Sequence, residues 1–284
     1  MTPIAEMVRR WWSTSAPWAL PGLDDHDGLR VGVDAFNGRP LRWPLGHTHM
    51  LIAGVTGSGK STVLRGLLSH AAARPDIVVV GIDLKAVELA PWAPRLSALA
   101  VEHPDARALL HVVVDELRGR RDVLRARRAT SWDPAWGPWI VVAVDELAEV
   151  LEPASSSKAH KDLAVDCIAS LVSIARLGRA LGVLIVGATQ RPDAETMTGQ
   201  MRSQFDTIVG LRVRRPEDSR IIAAGAADLT MLRAHEAVYV RPVPAPLRHL
   251  RADYIDPGQV AGRAARTARL RPRLDRFDLL AGVR

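Results

Sequence analysis

Residues 54–61 read Gly-Val-Thr-Gly-Ser-Gly-Lys-Ser, and this stretch decides the fold class because it matches the phosphate-loop pattern G-x-x-x-x-G-K-[ST] at every fixed position. It ends the apolar segment HMLIAG (49–54), which predicts a strand, and it leads into residues that favour a helix from Lys60 to about Ala73. A strand, a glycine loop and a helix in this order are the context that the motif requires. A chance cluster of glycines is therefore disfavoured.

Each residue of this loop has an expected role in holding a nucleotide. Gly54, Gly57 and Gly59 let the backbone turn so that its N–H groups point at the phosphates. Lys60, at the start of the helix, balances the charge of the β- and γ-phosphates, and Ser61 ligates Mg²⁺. The predicted nucleotide-binding set is completed by Val55, Thr56, Ser58 and Thr62. The expected ligand is ATP with Mg²⁺.

Outside the loop, apolar runs alternate with helical patterns. The predicted strands include residues 77–83, 139–146, 183–189, 207–213 and 236–241, and the predicted helices include residues 105–128, 162–180 and 216–224. Runs of Val and Ile between helices are typical of a parallel sheet that is covered on both faces. The predicted fold class is α/β: a P-loop NTPase with a mainly parallel central sheet flanked by helices, of the RecA-like, additional-strand type.

The composition divides the chain into three segments. Residues 1–28 are polar and carry Trp and Pro, which favours a flexible or docking N-terminal segment. Residues 29–247 form the predicted P-loop ATPase domain, which begins with a β-hairpin because Asn37-Gly38 joins two strand-like stretches. Residues 248–284 form a basic C-terminal tail with nine Arg against four Asp. This tail is either a solvated surface segment or an arm that binds a polyanion.

Asp145 and Glu146 end the apolar stretch 139–146 and are the predicted catalytic acids. The carboxyl end of a parallel strand is where α/β sheets place their ligands. We expect Asp145 to hold Mg²⁺ through water and Glu146 to polarise the water that attacks the γ-phosphate. The alternative is that both acids only favour the start of a helix through its dipole.

Gln190 closes the predicted strand 183–189 at the same edge of the sheet. A polar amide there can contact the γ-phosphate and act as a sensor of its presence. Thr189 is the neighbouring alternative, and either residue could simply cap a loop.

The formal net charge of +7 favours a polyanionic partner such as nucleic acid or a membrane surface. An Arg-rich codon usage would produce the same excess. The single cysteine, Cys167, cannot form an internal disulfide, so a reduced, cytoplasmic setting is expected. No apolar run is long enough to predict a membrane span, so any association with a membrane would require a partner protein.

Together these segments resemble the FtsK/SpoIIIE family of DNA-pumping motor ATPases over residues 31–240. The resemblance rests on His49 and on AGVTGSGKS (53–61), IDLKAVEL (82–89), IVVAVDELAEV (140–150), RALGVLIVGATQRP (179–192), Thr198-Gly199 and Asp218-Ser219-Arg220. Leu184 stands where the family often has His.

The resemblance also implies an arginine finger, which is an arginine that enters the nucleotide site of a neighbouring subunit. ELRGRRDVL (116–124) lies where the family has an arginine-bearing helix, and Arg120 is the predicted finger. Arg121 replaces the Tyr that usually follows, so the choice among Arg118, Arg120 and Arg121 stays open. Arg179 and Arg220 are further candidates for roles at a subunit interface.

The implied function is that of a compact, ATP-hydrolysing hexameric ring that binds and translocates double-stranded DNA, in plasmid or mobile-element transfer or in DNA segregation. The resemblance implies a protein that is cytoplasmic, or peripheral at the membrane through a membrane-bound partner protein. Two alternatives remain: an ATPase module of type VII-like protein secretion, and a non-motor ATP-binding switch.

Overall fold

The computed structural model describes residues 28–191, 199–223, 227–240 and 247–274. Ten strands in these ranges form one continuous sheet in the order β2-β1-β10-β9-β8-β3-β7-β6-β4-β5. The strands are β1 (Leu29–Asp34), β2 (Pro40–Trp43), β3 (Met50–Ala53), β4 (Ile77–Ile82), β5 (Ala98–Ala100), β6 (Trp139–Val144), β7 (Val183–Thr189), β8 (Thr207–Leu211), β9 (Ala237–Val240) and β10 (Arg248–Ala252). The predicted segment 1–28 and Thr198 lie outside the described ranges, apart from residue 28.

Six neighbouring strands, from β8 to β5 in the sheet order, are parallel. The strand that leads into the phosphate loop, β3, does not pair with β6, which carries the acidic residues at its end, because β7 lies between them. This inserted strand is the feature that defines the additional-strand type. The predicted fold class is therefore confirmed.

The remaining strands extend the sheet in antiparallel pairs. β1 and β2 form the predicted hairpin, and Gly38 takes the positive φ of +70° that its turn requires. The hairpin does not stand apart from the domain, because β10 pairs with β1 on one side and with β9 on the other. The boundary predicted after residue 247 is thus wrong: residues 248–252 form a strand inside the sheet.

Helices cover both faces of the sheet. They are α1 (Lys60–Ala72), α2 (His103–Arg127), α3 (Leu147–Leu151), α4 (Lys158–Leu177), α5 (Gly199–Arg202), α6 (Pro216–Ala223) and α7 (Val260–Thr267). Short 3₁₀ helices span Ala90–Trp92, Pro134–Trp136, Leu229–Met231, Pro257–Gln259 and Ala268–Leu270. Buried side chains of α2 and α4 pack on one face, and those of α1 and α7 pack on the other. Alternate residues of the strands supply the two sides of this packing.

Helix α4 begins at Lys158, four residues before the predicted start at 162. The reason is a local cap, since the side chain of Ser157 accepts a hydrogen bond from the backbone N–H of His160. The polar composition of residues 153–161 favours a loop, and the composition does not reveal this cap.

His49 fixes the central layer from inside the protein. Its Nδ1 accepts a hydrogen bond from the backbone N–H of Ile185 in β7 at 2.9 Å, so Nε2 carries the proton and donates to the carbonyl of Ala175 in α4 at 2.9 Å. Burial lowers the pKa of His49 to about 4. The neutral ring thus joins β3, β7 and α4.

Arg95 has a comparable role at the far end of α1. It is fully buried and donates to the carbonyls of Ala72, Arg74 and Ile77 at 2.8 to 3.0 Å. The carbonyls of Ala72 and Arg74 lie at and just after the C-terminus of the helix, where backbone acceptors lack helical partners, and the carbonyl of Ile77 belongs to the start of β4.

Within the described ranges, the helices are too short or too polar to cross a lipid bilayer.

Candidate nucleotide site

The phosphate loop connects β3 to α1 and is built on glycine geometry. Gly57 and Gly59 have φ of +74° and +112°, a region that favours glycine over other residues. A side chain at Gly54 would place its Cβ 2.7 Å from Ser58 Oγ and 2.8 Å from Leu211 Cβ. In contrast, a Cβ at Gly57 would meet no atom within 4 Å. The loop is therefore packed tightly at its base and open at its crest, as a cradle for phosphate groups must be.

Backbone hydrogen bonds hold the loop from neighbouring segments. Gly54 donates to the carbonyl of Thr189 at 3.2 Å, and Val55 donates to the carbonyl of Arg212 at 3.0 Å. The backbone carbonyl of Ser58 accepts a hydrogen bond from the backbone N–H of His235 at 2.8 Å. His235 has a positive φ of 67° and packs against Gly59. The sequence did not identify this part of the site. These contacts fix the shape of the loop independently of a ligand.

Lys60 begins α1, and its ammonium group folds back over the loop. Lys60 Nζ donates to the carbonyl of Gly54 at 2.8 Å. Burial lowers the pKa of Lys60, and the charges of Glu146 and Asp145 act in the opposite direction. The positive charge of Lys60 is thus held between the loop and the two predicted catalytic acids.

Asp145 and Glu146 follow β6 at the edge of the sheet that holds the loop. Burial raises the pKa of Asp145 to about 7, with further contributions from the carboxylates of Asp83 and Glu88. A bound divalent cation would compensate this concentration of negative charge. The carboxylate of Glu146 is 6% exposed and accepts hydrogen bonds of 3.1 and 3.0 Å from the backbone N–H of Gln190. Glu146 is therefore held in one orientation by the end of β7.

The two candidates for the sensor differ in their contacts. The Oε1 atom of Gln190 accepts a hydrogen bond from the hydroxyl of Thr56, at the exposed crest of the phosphate loop. Thr189 is fully buried, and its hydroxyl donates to the carbonyl of Arg191 at 3.1 Å and accepts from the N–H of Arg191 at 3.0 Å. The amide of Gln190, rather than the hydroxyl of Thr189, contacts the loop.

A further carboxylate organises the loop after β4. Asp83 is 1% exposed and accepts hydrogen bonds from the backbone N–H groups of Lys85, Val87 and Leu89. Lys85 in turn forms an ion pair with Glu149 of α3 at 2.6 Å. Segment 82–89 contributed to the family resemblance, but its contacts with the acidic edge of the site could not be read from its spacing.

Arg120 does not have the position predicted for an arginine finger. It is 2% exposed, and its guanidinium donates to the carboxylate of Glu116 and to the carbonyls of Pro138, Leu181 and Gly182. Its charge also lies 4.2 Å from the centre of the ring of Trp132. Because every N–H-bearing nitrogen is engaged inside its own subunit, the prediction that Arg120 reaches a neighbour is wrong.

The other arginine candidates lie at the surface. Arg121 and Arg220 are exposed, and Arg118 pairs with Asp115 on the exposed side of α2. Arg179 is partly exposed and bonds Asp206 at 2.7 Å. Each of these guanidinium groups is accessible from outside the subunit.

The residues present fit MgATP. The glycine geometry, the Lys60 ammonium and the N-terminus of α1 suit a chain of phosphates. Ser61 and Asp145 are the residues that would hold Mg²⁺, and the ion would draw negative charge from the phosphate oxygens. Val55, Thr56, Ser58, Gly59 and Thr62 complete the loop and the first turn of α1. Their individual contacts with a nucleotide stay a prediction.

These features define a P-loop ATPase of the additional-strand class. They are a parallel sheet with an inserted strand, a phosphate loop, and two acids at the end of β6. The chain belongs to the FtsK/SpoIIIE family, whose family model matches residues 31–237. This membership confirms the resemblance that the sequence motifs indicated.

Characterised relatives match most of this chain. The chain is 30% identical to the DNA translocase FtsK of Oceanobacillus iheyensis over an alignment of 251 positions, which covers 80% of this chain and 30% of that protein. It is 30% identical to the protein Tra of Streptomyces lividans over an alignment of 237 positions, which covers 79% of this chain and 35% of that protein. The chain thus spans about a third of the length of these relatives.

Among solved structures, the fold is similar to that of the pCW3 conjugation coupling protein TcpA in its monomer form with ATPγS. The TM-score is 0.74 at 24% sequence identity, with 87% of this chain and 73% of that chain covered. The cytoplasmic domain of the type VII secretion ATPase EccC of Thermomonospora curvata has a TM-score of 0.59 at 23% identity, covering 83% of this chain and 30% of that chain. At these identities the likeness supports the fold alone.

Proposed function

We propose that this chain is an ATP-hydrolysing motor module that binds and translocates double-stranded DNA as a ring of identical subunits, with six as the expected number. The observation that carries the proposal is the contact between the Glu146 carboxylate and the backbone N–H of Gln190. The buried carboxylate of Glu146, which is the proposed base, lies beside a residue whose side chain contacts the phosphate loop.

In the proposed reaction, the chain's own groups position a water molecule and the γ-phosphate. Glu146 accepts a proton from the attacking water, and Lys60 together with the loop N–H groups stabilises the charge on the phosphate oxygens. Gln190 distinguishes the nucleotide before and after cleavage, because its amide contacts Thr56 at the crest of the loop. The end of β7 is thus the proposed route by which hydrolysis changes the shape of the subunit.

Duplex DNA is the proposed substrate because the chain belongs to the FtsK/SpoIIIE family and its relatives include proteins named as DNA translocases. The net charge of +7 agrees with contacts to a phosphate backbone, which provide a grip that does not depend on sequence. The similarity to Tra favours plasmid or mobile-element transfer over segregation. Such a module would act in the cytoplasm, with a membrane-bound partner as its anchor where transfer requires one.

The ring follows from the need for an arginine that completes the nucleotide site from a neighbouring subunit. Arg179 and Arg220 are the candidates that we favour after Arg120 is set aside, because both are accessible and both lie in segments that resemble the family. Arg118 and Arg121 remain the alternatives on α2. Contacts that join unlike surfaces of identical subunits close into a ring when the rotation between subunits permits it.

The test is ATP hydrolysis with and without duplex DNA, with Lys60→Ala as the inactive control. Stimulation by duplex DNA at low salt is expected. Equal rates with and without DNA would contradict the motor proposal. If the unstimulated protein instead captured secreted proteins without any requirement for DNA, it would be a secretion ATPase module. A monomer with tightly bound nucleotide and slow turnover would be a switch.

A further inference from the structure

A strongly basic pocket lies between the start of β5 and the end of the described chain, apart from the nucleotide site. It has a volume of about 370 Å³ and is lined by Ser97 and by residues 268–274, except Leu270. Arg269, Arg271 and Arg273 belong to this lining, which we call the arginine pocket. Within the part of the chain that the structure describes, the lining contains no carboxylate.

The arginine pocket is far from the phosphate loop. Ser97 precedes β5, so it lies at the amino ends of the parallel strands, whereas the nucleotide site lies at their carboxyl ends. Nearby, Arg95 binds carbonyls at the C-terminal end of α1, and the phosphate loop lies at the N-terminal end of that helix. A helix of this length rises about 20 Å. The two sites are therefore separate.

Within the described residues, the positive charges of the pocket have no carboxylate partner. The Nη1 atom of Arg271 donates to the carbonyl of Leu96 at 3.2 Å, and a neutral carbonyl does not balance the guanidinium charge. Burial, followed by the charge of Arg271, lowers the pKa of Arg95 to about 10. The guanidinium groups of Arg95 and Arg271 thus lie close enough to repel each other, although neither is part of an ion pair among the described residues.

Buried polar atoms next to the pocket also lack partners. Ser97 Oγ, in the lining itself, is fully buried and forms no hydrogen bond within the described structure. The same is true of Arg95 Nη1 and Trp92 Nε1, which lie a few residues earlier in the chain. Buried donors are almost always satisfied in native proteins, and one that is not points to an absent water or ion. Here one such donor, the Ser97 hydroxyl, belongs to a pocket whose lining is cationic.

We propose that the arginine pocket binds a phosphate group, either from a nucleic-acid backbone or as free phosphate. A guanidinium group can donate two parallel hydrogen bonds to a pair of phosphate oxygens, and the Ser97 hydroxyl is a further donor in the lining. The nucleic-acid source rests on the proposed function. In that case the pocket gives the motor a backbone contact at the end of α1 that faces away from the bound nucleotide.

The experiment compares a triple variant, Arg269→Gln, Arg271→Gln and Arg273→Gln, with a control triple variant, Arg39→Gln, Arg125→Gln and Arg128→Gln. The control residues are exposed and outside the pocket, and both triple variants change the net charge equally. All proteins also carry Lys60→Ala, which weakens phosphate binding at the nucleotide site. The first readout is the rise in Tm caused by inorganic phosphate at constant ionic strength. The second is fluorescence anisotropy of a duplex oligonucleotide across a salt series.

We expect the pocket variant, but not the control, to lose the rise in Tm and to bind duplex DNA at least about tenfold more weakly. The slope of log affinity against log salt concentration should become shallower by about 0.9 for each lost phosphate contact. Loss of the Tm effect with unchanged DNA binding would identify free phosphate as the ligand. Equal Tm effects in the pocket and control variants would overturn the proposal.

Two further results keep the test decisive. Ser97→Ala retains every charge, and it should reduce the Tm effect of phosphate even if the triple variant does not fold. If duplex DNA fails to bind the protein with an intact pocket, the proposed motor function is contradicted. The Tm readout would still decide whether the pocket binds phosphate.

Discussion

Glu146 and Arg120 illustrate, at the scale of single residues, how burial can serve opposite purposes. Both side chains are almost completely buried, and both are hydrogen-bonded to backbone groups. Glu146 is held by the residue whose side chain contacts the open crest of the phosphate loop, so its orientation suits the proposed chemistry. Arg120 faces carbonyl groups and an indole ring inside one subunit, so its orientation serves the fold.

Replacement of the proposed base should separate binding from hydrolysis. Glu146→Gln keeps an oxygen that can accept from the N–H of Gln190, but the amide cannot take a proton from water. The kcat for ATP should fall by about 100-fold or more, while a fluorescent ATP analogue should bind with nearly unchanged affinity. Glu102→Gln, at an exposed position, is the matched control. A Glu146→Gln protein with the kcat of the unmodified chain would remove Glu146 from the mechanism.

Truncation of Arg120 should act on stability. Arg120→Ala removes the ion pair with Glu116 and one donor from each of three carbonyls, so the free energy of unfolding should fall by about 3 kcal/mol in urea titrations. Arg220→Ala, at an exposed site, should change it by less than about 0.5 kcal/mol. A different result would contradict this interpretation. If Arg120→Ala kept full stability but lost the ATP hydrolysis that depends on a neighbouring subunit, Arg120 would again be the candidate arginine finger.

His49 should make the protein sensitive to acid. Its pKa of about 4 in the folded state lies below the value of about 6.5 for an unfolded chain. The unfolded state therefore binds more protons between these values, and stability falls as the pH drops from about 6.5 to 4. The loss between pH 8 and pH 5 attributable to His49 should be about 2 kcal/mol. The free energy of unfolding of His49→Gln should be lower than that of the unmodified chain at pH 8, but it should depend less steeply on pH. An unchanged pH dependence would contradict the assignment.

At the scale of elements, β10 decides how the chain is organised. Leu250 of β10 is buried, whereas its neighbour His249 is exposed and contacts Phe36. This alternation is the mark of a strand with one covered face. The C-terminal segment therefore closes the gap between the hairpin and the P-loop sheet.

Substitutions in β10 test this organisation. Leu250→Ala should lower the free energy of unfolding by about 2 to 3 kcal/mol, because it leaves a cavity against the packed face of the sheet. His249→Ala, one residue away on the other side, should cost less than about 1 kcal/mol. Chemical denaturation measures both. Equal and small effects would mean that residues 248–252 are a peripheral tail, as their composition suggested.

The sequence predicted the parallel core well because its signals are local and strong. Continuous runs of Val and Ile mark β4, β6 and β7, and the glycine loop fixes the direction of the chain at α1. β10 is different, since RHLRA contains one large aliphatic residue and three charged or polar ones. Its pairing with β1, more than 200 residues earlier, depends on contacts that no local pattern encodes.

The candidate site divides in the same way. Motif spacing located Lys60, Asp145, Glu146 and Gln190 at one edge of the sheet, and the structure brings them together. The contact between Glu146 and the backbone of Gln190, and the burial of Arg120, could not be predicted. Both depend on how β6, β7 and α2 pack, which is a property of the assembled domain.

At the scale of the whole molecule, the candidate nucleotide site and the proposed phosphate site lie at opposite edges of one sheet. The nucleotide site lies at the carboxyl ends of the parallel strands, and the arginine pocket lies at the amino end of β5. Helix α1 connects the two regions, with the phosphate loop at one end and Arg95 at the other. In the proposed motor, this helix is the element that joins the nucleotide site to the proposed DNA contact.

The most direct test of the central claim is the ATPase rate as a function of duplex DNA concentration across a salt series, with Lys60→Ala and Glu146→Gln as inactive controls. We expect duplex DNA to stimulate hydrolysis at low salt. We also expect the half-activating DNA concentration to rise steeply with salt, because phosphate contacts release counterions. A rate that is the same with and without DNA at every salt concentration would contradict the central claim.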